Sequence, residues 1–216
     1  MKLNERPAAA IKLVGGRRCL DFVNSVGGRR PALPSEKGRA VREDKLNDYG
    51  DLLAWSQHVG LLTEREMQKL LRESRQQAEA AAVFARAIAL REAIYRICKA
   101  LLNKSLPRQS HLEQLNQELT MAYGRVRLAA GEENFVWEWT DTKNALDCML
   151  WQIADSAAEF LTTGDLTRLR ECGGEDCGWL FEDTSKNRSR QWCDMRDCGN
   201  LAKVRRFRTR TRADVP

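Results

Sequence analysis

The stretch Cys172-Gly-Gly-Glu-Asp-Cys177-Gly-Trp-Leu-Phe-Glu-Asp-Thr-Ser-Lys-Asn-Arg-Ser-Arg-Gln-Trp-Cys193-Asp-Met-Arg-Asp-Cys198 decides how the rest of the sequence is read. It contains two cysteine pairs, each with four intervening residues, separated by fifteen. A pair close in sequence supplies two corners of a tetrahedron from one tight turn, and Zn2+ takes soft thiolate ligands at tetrahedral corners. Gly173 and Gly174 let the first turn fold back, Trp179 and Phe181 alternate between the pairs, and Asp183 to Asn187 forms a turn signal. The expected structure is a hairpin whose aromatics, with Trp192, roof a metal held by Cys172, Cys177, Cys193 and Cys198. Four thiolates close the coordination shell, whereas a catalytic zinc keeps a position open, so one structural Zn2+ is expected. An iron site or a redox-labile thiol cluster would use the same ligands. Beyond the second pair, Val204 and Phe207 are spaced to pin one face of a basic helix against the finger.

The rest of the composition is that of an ordinary soluble globular chain. Its 216 residues are 43% hydrophobic and 31% charged, with a mean hydropathy of -0.54. The longest run without Asp, Glu, Lys or Arg is Leu52 to Thr63, well short of the roughly 18 apolar residues that span a bilayer. Glu5 and Arg6 are followed by Pro7 and three alanines, which is no export signal, so no membrane partner and a cytoplasmic location are expected. In a reducing compartment an odd seven cysteines argue against a disulfide framework. Net charge is +6, but Glu171 to Asp183 holds five acids and no base while Lys203 to Arg212 holds six bases and no acid. A basic arm of that kind meets polyanions.

Upstream the patterns are helical. Leu46, Tyr49, Leu52 and Leu53 recur at helical spacing until Gly60, and Thr63 with Glu66 makes a capping box for a helix through Met67, Leu70 and Leu71. Past the polar Glu73 to Gln77, a long helix carries Val83 to Leu102 and is stopped by Pro107; Ser110 with Glu113 offers a second capping box for a helix through Leu112, Leu115 and Leu119. Arg125 to Leu128 and Phe135 to Trp139 alternate, predicting a β-hairpin with Phe135, Trp137 and Trp139 on its buried face. A last helix runs from Leu146 to Gly164, with Cys98 and Cys148 as small core side chains, and His58 and His111 near helix ends. The phrase Val-Gly-Gly-Arg-Arg, at Val14 to Arg18 and again at Val26 to Arg30, suggests two exposed turns around a short buried segment, and Pro31 to Gly38 a loop. The fold expected is mainly α (α+β): a helical domain with a β-hairpin over residues 1–164, then over 165–216 a small treble-clef-like finger of a hairpin and a basic helix.

The run from Cys172 to Lys203 resembles the CGNR zinc finger. Leu13-Val-Gly-Gly-Arg-Arg-Cys-Leu-Asp-Phe-Val-Asn24, with the helical stretch to about Gly164, looks like the ABATE domain that usually precedes that finger in bacterial proteins. The family is described as stress-responsive transcriptional regulators, so the resemblance implies DNA binding, and it carries the four named cysteines over as zinc ligands. Where the family motif ends in arginine, this sequence has Leu201, a departure that leaves the zinc ligation untouched but takes away any phosphate contact or hydrogen bond that arginine makes.

Nine cations are the candidate nucleic-acid contacts: Lys186, Arg188 and Arg190 on the hairpin turn, and Lys203, Arg205, Arg206, Arg208, Arg210 and Arg212 on the arm. Phosphate contacts position a protein and base contacts specify it, and an arginine-rich arm suits RNA as well as DNA. The expected protein is a zinc-binding transcriptional regulator whose helical part is available for sensing a small-molecule ligand or for forming a homodimer. The alternative is a zinc-stabilised protein-interaction module docking on an acidic partner. No enzyme is expected: no nucleophile elbow, phosphate loop or metalloprotease motif is present, and Asp21 with Asn24, or Glu138 between two tryptophans, makes no catalytic constellation.

Overall fold

In a computed structural model of the chain, residues 3–29, 43–74, 78–142 and 145–213 are described; the loop expected over Pro31 to Gly38 lies outside them. The helical body begins with α1 (Arg18–Val23), a single buried turn and a half in which Cys19, Leu20, Asp21, Phe22 and Val23 are all removed from solvent. Helix α2 (Tyr49–His58) starts where the Asp48 carboxylate accepts the Asp51 amide at 2.8 Å, and stops at Gly60, whose φ of 78° suits a residue without Cβ. Helix α3 (Glu64–Ser74) opens on the expected capping box: Glu66 Oε2 accepts the Thr63 amide at 2.8 Å, and Thr63 Oγ1 accepts the Glu66 amide. Helices α4 (Glu79–Leu102), α5 (Gln109–Tyr123) and α6 (Cys148–Thr163) complete the body; α6 lies against α1 and α5, and α4 against α1, α2 and α5.

The core is one continuous cluster around Phe22, Trp55, Trp151 and Phe160, with the Phe22 and Trp55 ring centroids 5.0 Å apart. Two arginines order its polar margin. Arg86 makes a two-pronged pair with buried Glu118 (3.0 and 2.8 Å) and reaches Asp147, tying α4 to α5 and to the start of α6. Arg91, itself buried, donates to both carboxylate oxygens of Asp44 and to Ser25 Oγ. Burial pushes the thiols of Cys19 and Cys148 up to about 12, so these are inert core side chains. None of the described helices is long and apolar enough to cross a membrane.

Three sequence expectations are corrected. Helix α4 ends well before Pro107, at Asn103, because Lys104 adopts φ 54° and the chain turns back, with the Ser105 amide donating to Ala100 O at 2.9 Å. Ser110 is not a cap: α5 has already begun at Gln109, with Arg108 in the cap position and making no side-chain cap bond. The third is the hairpin of β1 (Val126–Ala130) and β2 (Phe135–Trp139), antiparallel in the register Val126↔Trp139, Leu128↔Trp137 and Ala130↔Phe135. The predicted alternation is real, but among the described residues only its innermost rung packs on the body, through half-buried Trp139 beside Trp151, while Phe135 and Trp137 are 71% and 74% exposed. The hairpin projects from the domain instead of lying on it.

Candidate metal centre and nucleic-acid interface

The finger begins with β3 (Leu169–Glu171) and β4 (Leu180–Glu182), an antiparallel pair in which Glu171 faces Leu180. Cys172 follows β3 directly and its amide donates to Trp179 O at 2.8 Å, so the first metal ligand is held in the ladder's extension. The chain then folds back through Gly173 and Gly174 to Cys177. A Cβ on Gly174 would lie 3.1 Å from both Cys177 Cβ and Cys198 Sγ, which is why that turn needs glycine. The second pair closes around a π-helical turn (Met195–Gly199), capped by the Asp194 carboxylate, which accepts the Arg196 amide at 2.7 Å. Helix α7 (Asn200–Ala213) continues from that turn.

The four cysteines Cys172, Cys177, Cys193 and Cys198 come together, every sulfur within 4.8 Å of the others. The Cys177–Cys193 and Cys193–Cys198 sulfur separations are both 3.7 Å. Tetrahedral Zn–S bonds of about 2.3 Å require sulfurs about 3.8 Å apart, so the thiols fit the ion. The Gly174 and Cys193 amides point at Cys172 Sγ, at 3.4 and 3.3 Å, an arrangement that favours a thiolate. Hydrogen bonds from the Cys177, Cys193 and Cys198 thiols hold Cys172 far below the ordinary thiol range, while the neighbouring Cys172, with Cys177 and Cys198, pushes Cys193 up. Without a cation four thiolates cannot coexist at this spacing; a divalent metal removes that conflict and deprotonates all four. When bound, zinc cross-links the two knuckles and the root of α7.

The finger is seated on the helical body along a seam built from the Val-Gly-Gly-Arg-Arg turns. Asn24, fully buried, donates from Nδ2 to Leu180 O and accepts the Leu180 amide, both at 2.8 Å, and so stands beside β4 as a neighbouring strand would. Gly15 O accepts the Glu182 amide at 2.8 Å, Trp179 Nε1 donates to Val26 O at 2.8 Å, and the Arg29 amide donates to Cys177 O at 3.1 Å. Arg17 and Lys99 reach across to Glu182 and Glu171 at 2.7 and 2.5 Å. Leu169 and Leu180 belong to the main hydrophobic core, so the finger's strands share the packing of the helical body, while Cys172, Phe181 and Cys193 form a second, small cluster beside it. These turns are thus a docking seam and not merely exposed loops. No periodic pattern marked them; their repeated glycines were the one available signal. Asp21 lies behind the seam, accepting the Gly15 amide at 2.8 Å, and burial raises its carboxyl to about 6.

The candidate cations are sorted by the same packing. Arg190 turns inward, and this corrects its place among the solvent-facing cations. Its guanidinium lies 4.2 Å over the Phe181 ring and donates to Val14 O and Trp192 O at 3.1 Å, and to Cys193 O. Arg188, with φ 50°, pairs with Asp165 at 3.3 Å. Arg205 is shared between Glu175 and, at 3.7 Å, Asp176 of the first knuckle. Lys186 is exposed on the turn, and Lys203, Arg206 and Arg208 are exposed along α7; Arg210 and Arg212 lie in its last turns. Val204 and Phe207 do not pin α7 down, being 47% and 71% exposed. Between the first knuckle and α7 runs a cleft of about 1030 Å3 whose lining includes Arg170, Arg188, Gln191, Trp192, Leu201 and Arg206.

A closed four-thiolate site that fastens a hairpin and a basic helix to a helical body defines a structural zinc-finger protein. Residues 168–211 match the CGNR zinc finger, and residues 16–164 match the ABATE family, described as "Putative stress-induced transcription regulator". The chain belongs to the ABATE family and holds one structural zinc ion in its CGNR finger. No curated protein matches the sequence.

Proposed function

We propose that this protein is a bacterial, cytoplasmic transcriptional regulator whose zinc finger holds α7 against nucleic acid, DNA in the first instance. In this reading residues 165–216 contact the polyanion, while residues 1–164 sense a small-molecule ligand or bring two copies together. The observation that carries it is α7 itself: it packs on the π-helical turn at its root, and its cations Lys203, Arg206 and Arg208 are exposed. Zinc fixes the root and leaves the basic length of the helix free to lie along phosphates. Lys186 and Arg188 on the hairpin turn extend the same charge, and Trp192 and Gln191 in the cleft offer a stacking face and an amide to a base. The reading is non-catalytic, because four thiolates leave the metal no open position.

The test is binding of the zinc-loaded chain to random duplex DNA across a salt series, beside a chain ending at Ala202. If four cations meet phosphates, log K falls against log salt with a slope of about -4. The truncated chain should lose most of that dependence. Equal affinity of both chains would remove α7 from the interface, and no binding by either at low salt would leave the finger as a protein-docking module.

A further inference from the structure

We propose that the β1–β2 hairpin is a dimerisation surface, packed face to face against the hairpin of a second copy of this chain. The register places Val126, Leu128 and Ala130 on the same face as Trp139, Trp137 and Phe135, so one side of the hairpin is apolar along its whole length. Among the described residues only the Val126–Trp139 rung is covered by the body; Leu128, Phe135 and Trp137 are 57%, 71% and 74% exposed. On the opposite face Arg127 and Glu138 neutralise each other through two hydrogen bonds, 3.0 and 2.8 Å. Sequence alternation therefore builds a buried face that the monomer does not bury. A two-stranded hairpin is marginal by itself, and a second apolar layer is what such a face lacks.

Charge and area identify the occupant. The hairpin turn carries Glu132 and Glu133, which repel nucleic acid and an anionic lipid surface alike. The exposed apolar face amounts to roughly 500 Å2, judged from the size of its aromatic side chains. Two such faces together give about 1,000 Å2, where specific interfaces begin. A two-fold axis perpendicular to the strands sets each face against its own image and needs no second complementary surface. The same axis carries each acidic turn to the base of the other hairpin, where Arg125, paired with Asp141 at 3.0 Å, is half-exposed, and keeps the two turns apart. The proposal stands on the hairpin alone. It also serves the regulator reading, since one finger reads one half-site and a two-fold dimer presents two.

Mass measurement by light scattering and sedimentation on the zinc-loaded full chain tests this. The wild type should run at twice 24.7 kDa and dissociate on dilution. Trp137→Glu and, separately, Phe135→Glu should run as monomers with unchanged circular dichroism and zinc content, because both side chains are exposed in the monomer. Phe207→Glu, an equally exposed apolar residue on α7, should remain dimeric. A monomeric wild type at all accessible concentrations, a dimer that survives both hairpin variants, or a dimer abolished only by Phe207→Glu would each overturn the proposal. Salt-dependent DNA binding is read separately on the wild type, so a dimer that binds no DNA would count against the regulator reading and not against the hairpin.

Discussion

Replacing Asn24 by alanine tests whether finger and helical body are one cooperative structure. The Asn24 amide makes both of its hydrogen bonds to the backbone of Leu180, and Leu180 is completely buried in the shared core. Truncation leaves an amide and a carbonyl without partners where water does not reach. Each such group costs about 1–3 kcal/mol, so the substitution should cost about 3–4 kcal/mol in all. For a chain of this size that is a fall in Tm of roughly 7–14 °C. Thermal and urea unfolding followed by circular dichroism, at saturating zinc, measures it. Asn24→Leu keeps the branched outline, fills the space and orphans the same two groups, so it should lose at least as much; a cavity effect alone would spare it. Since β4 runs back through Trp179 and Gly178 to Cys177, both variants should also release zinc to a chelator faster. A loss below about 1 kcal/mol in Asn24→Ala would refute the reasoning, because the strand would then be satisfied in some other way.

Three further outcomes follow from the same contacts. Asp21 is held up to about 6 in the folded protein against 3.8 for an ordinary aspartate, so the protonated form favours folding and stability falls as pH rises through that interval, levelling off above it. Urea unfolding should show a decline of about 1 kcal/mol between about pH 5 and 7 that is missing in Asp21→Asn; identical pH profiles would contradict it. Chelating zinc, or Cys193→Ser, should destabilise the helical body as well as the finger, since Leu169 and Leu180 sit in the common core. At a thousandfold zinc excess over Kd the loss is about 4 kcal/mol, read as a single shifted transition, and an unchanged main transition would show that the two parts fold independently. Leu201→Arg places a cation in the cleft beside Arg206, and should steepen the salt slope of DNA binding by about 1; an unchanged slope would put the cleft outside the interface.

Local spacing alone made the metal site legible. Two cysteine pairs with glycines in the first turn state both the ligands and the tight reversal that joins them, and the Thr63–Glu66 box and Gly60 mark helix ends by interactions within one turn of chain. What local spacing leaves undecided is which neighbour covers a given face. The hairpin pattern correctly paired Leu128 with Trp137 and Ala130 with Phe135, yet alternation says only that the two faces differ, and the body meets just the Trp139 end. Charge behaves the same way. Arg190 and Lys186 are equivalent in a list of cations, but Val14 is far from Arg190 in sequence and beside it in space, and its carbonyl, with the Phe181 ring, draws that guanidinium inward. Asn24 gave no sign of its role, because a side-chain amide can imitate a strand only where folding has brought an unpaired edge to it. The sequence by itself determined the metal ligands and the helical character of the body, since both depend on contacts a few residues apart. Tertiary structure alone decided which cations remain free, which apolar face stays uncovered and how the finger is seated, since each depends on groups that meet only once the chain has folded.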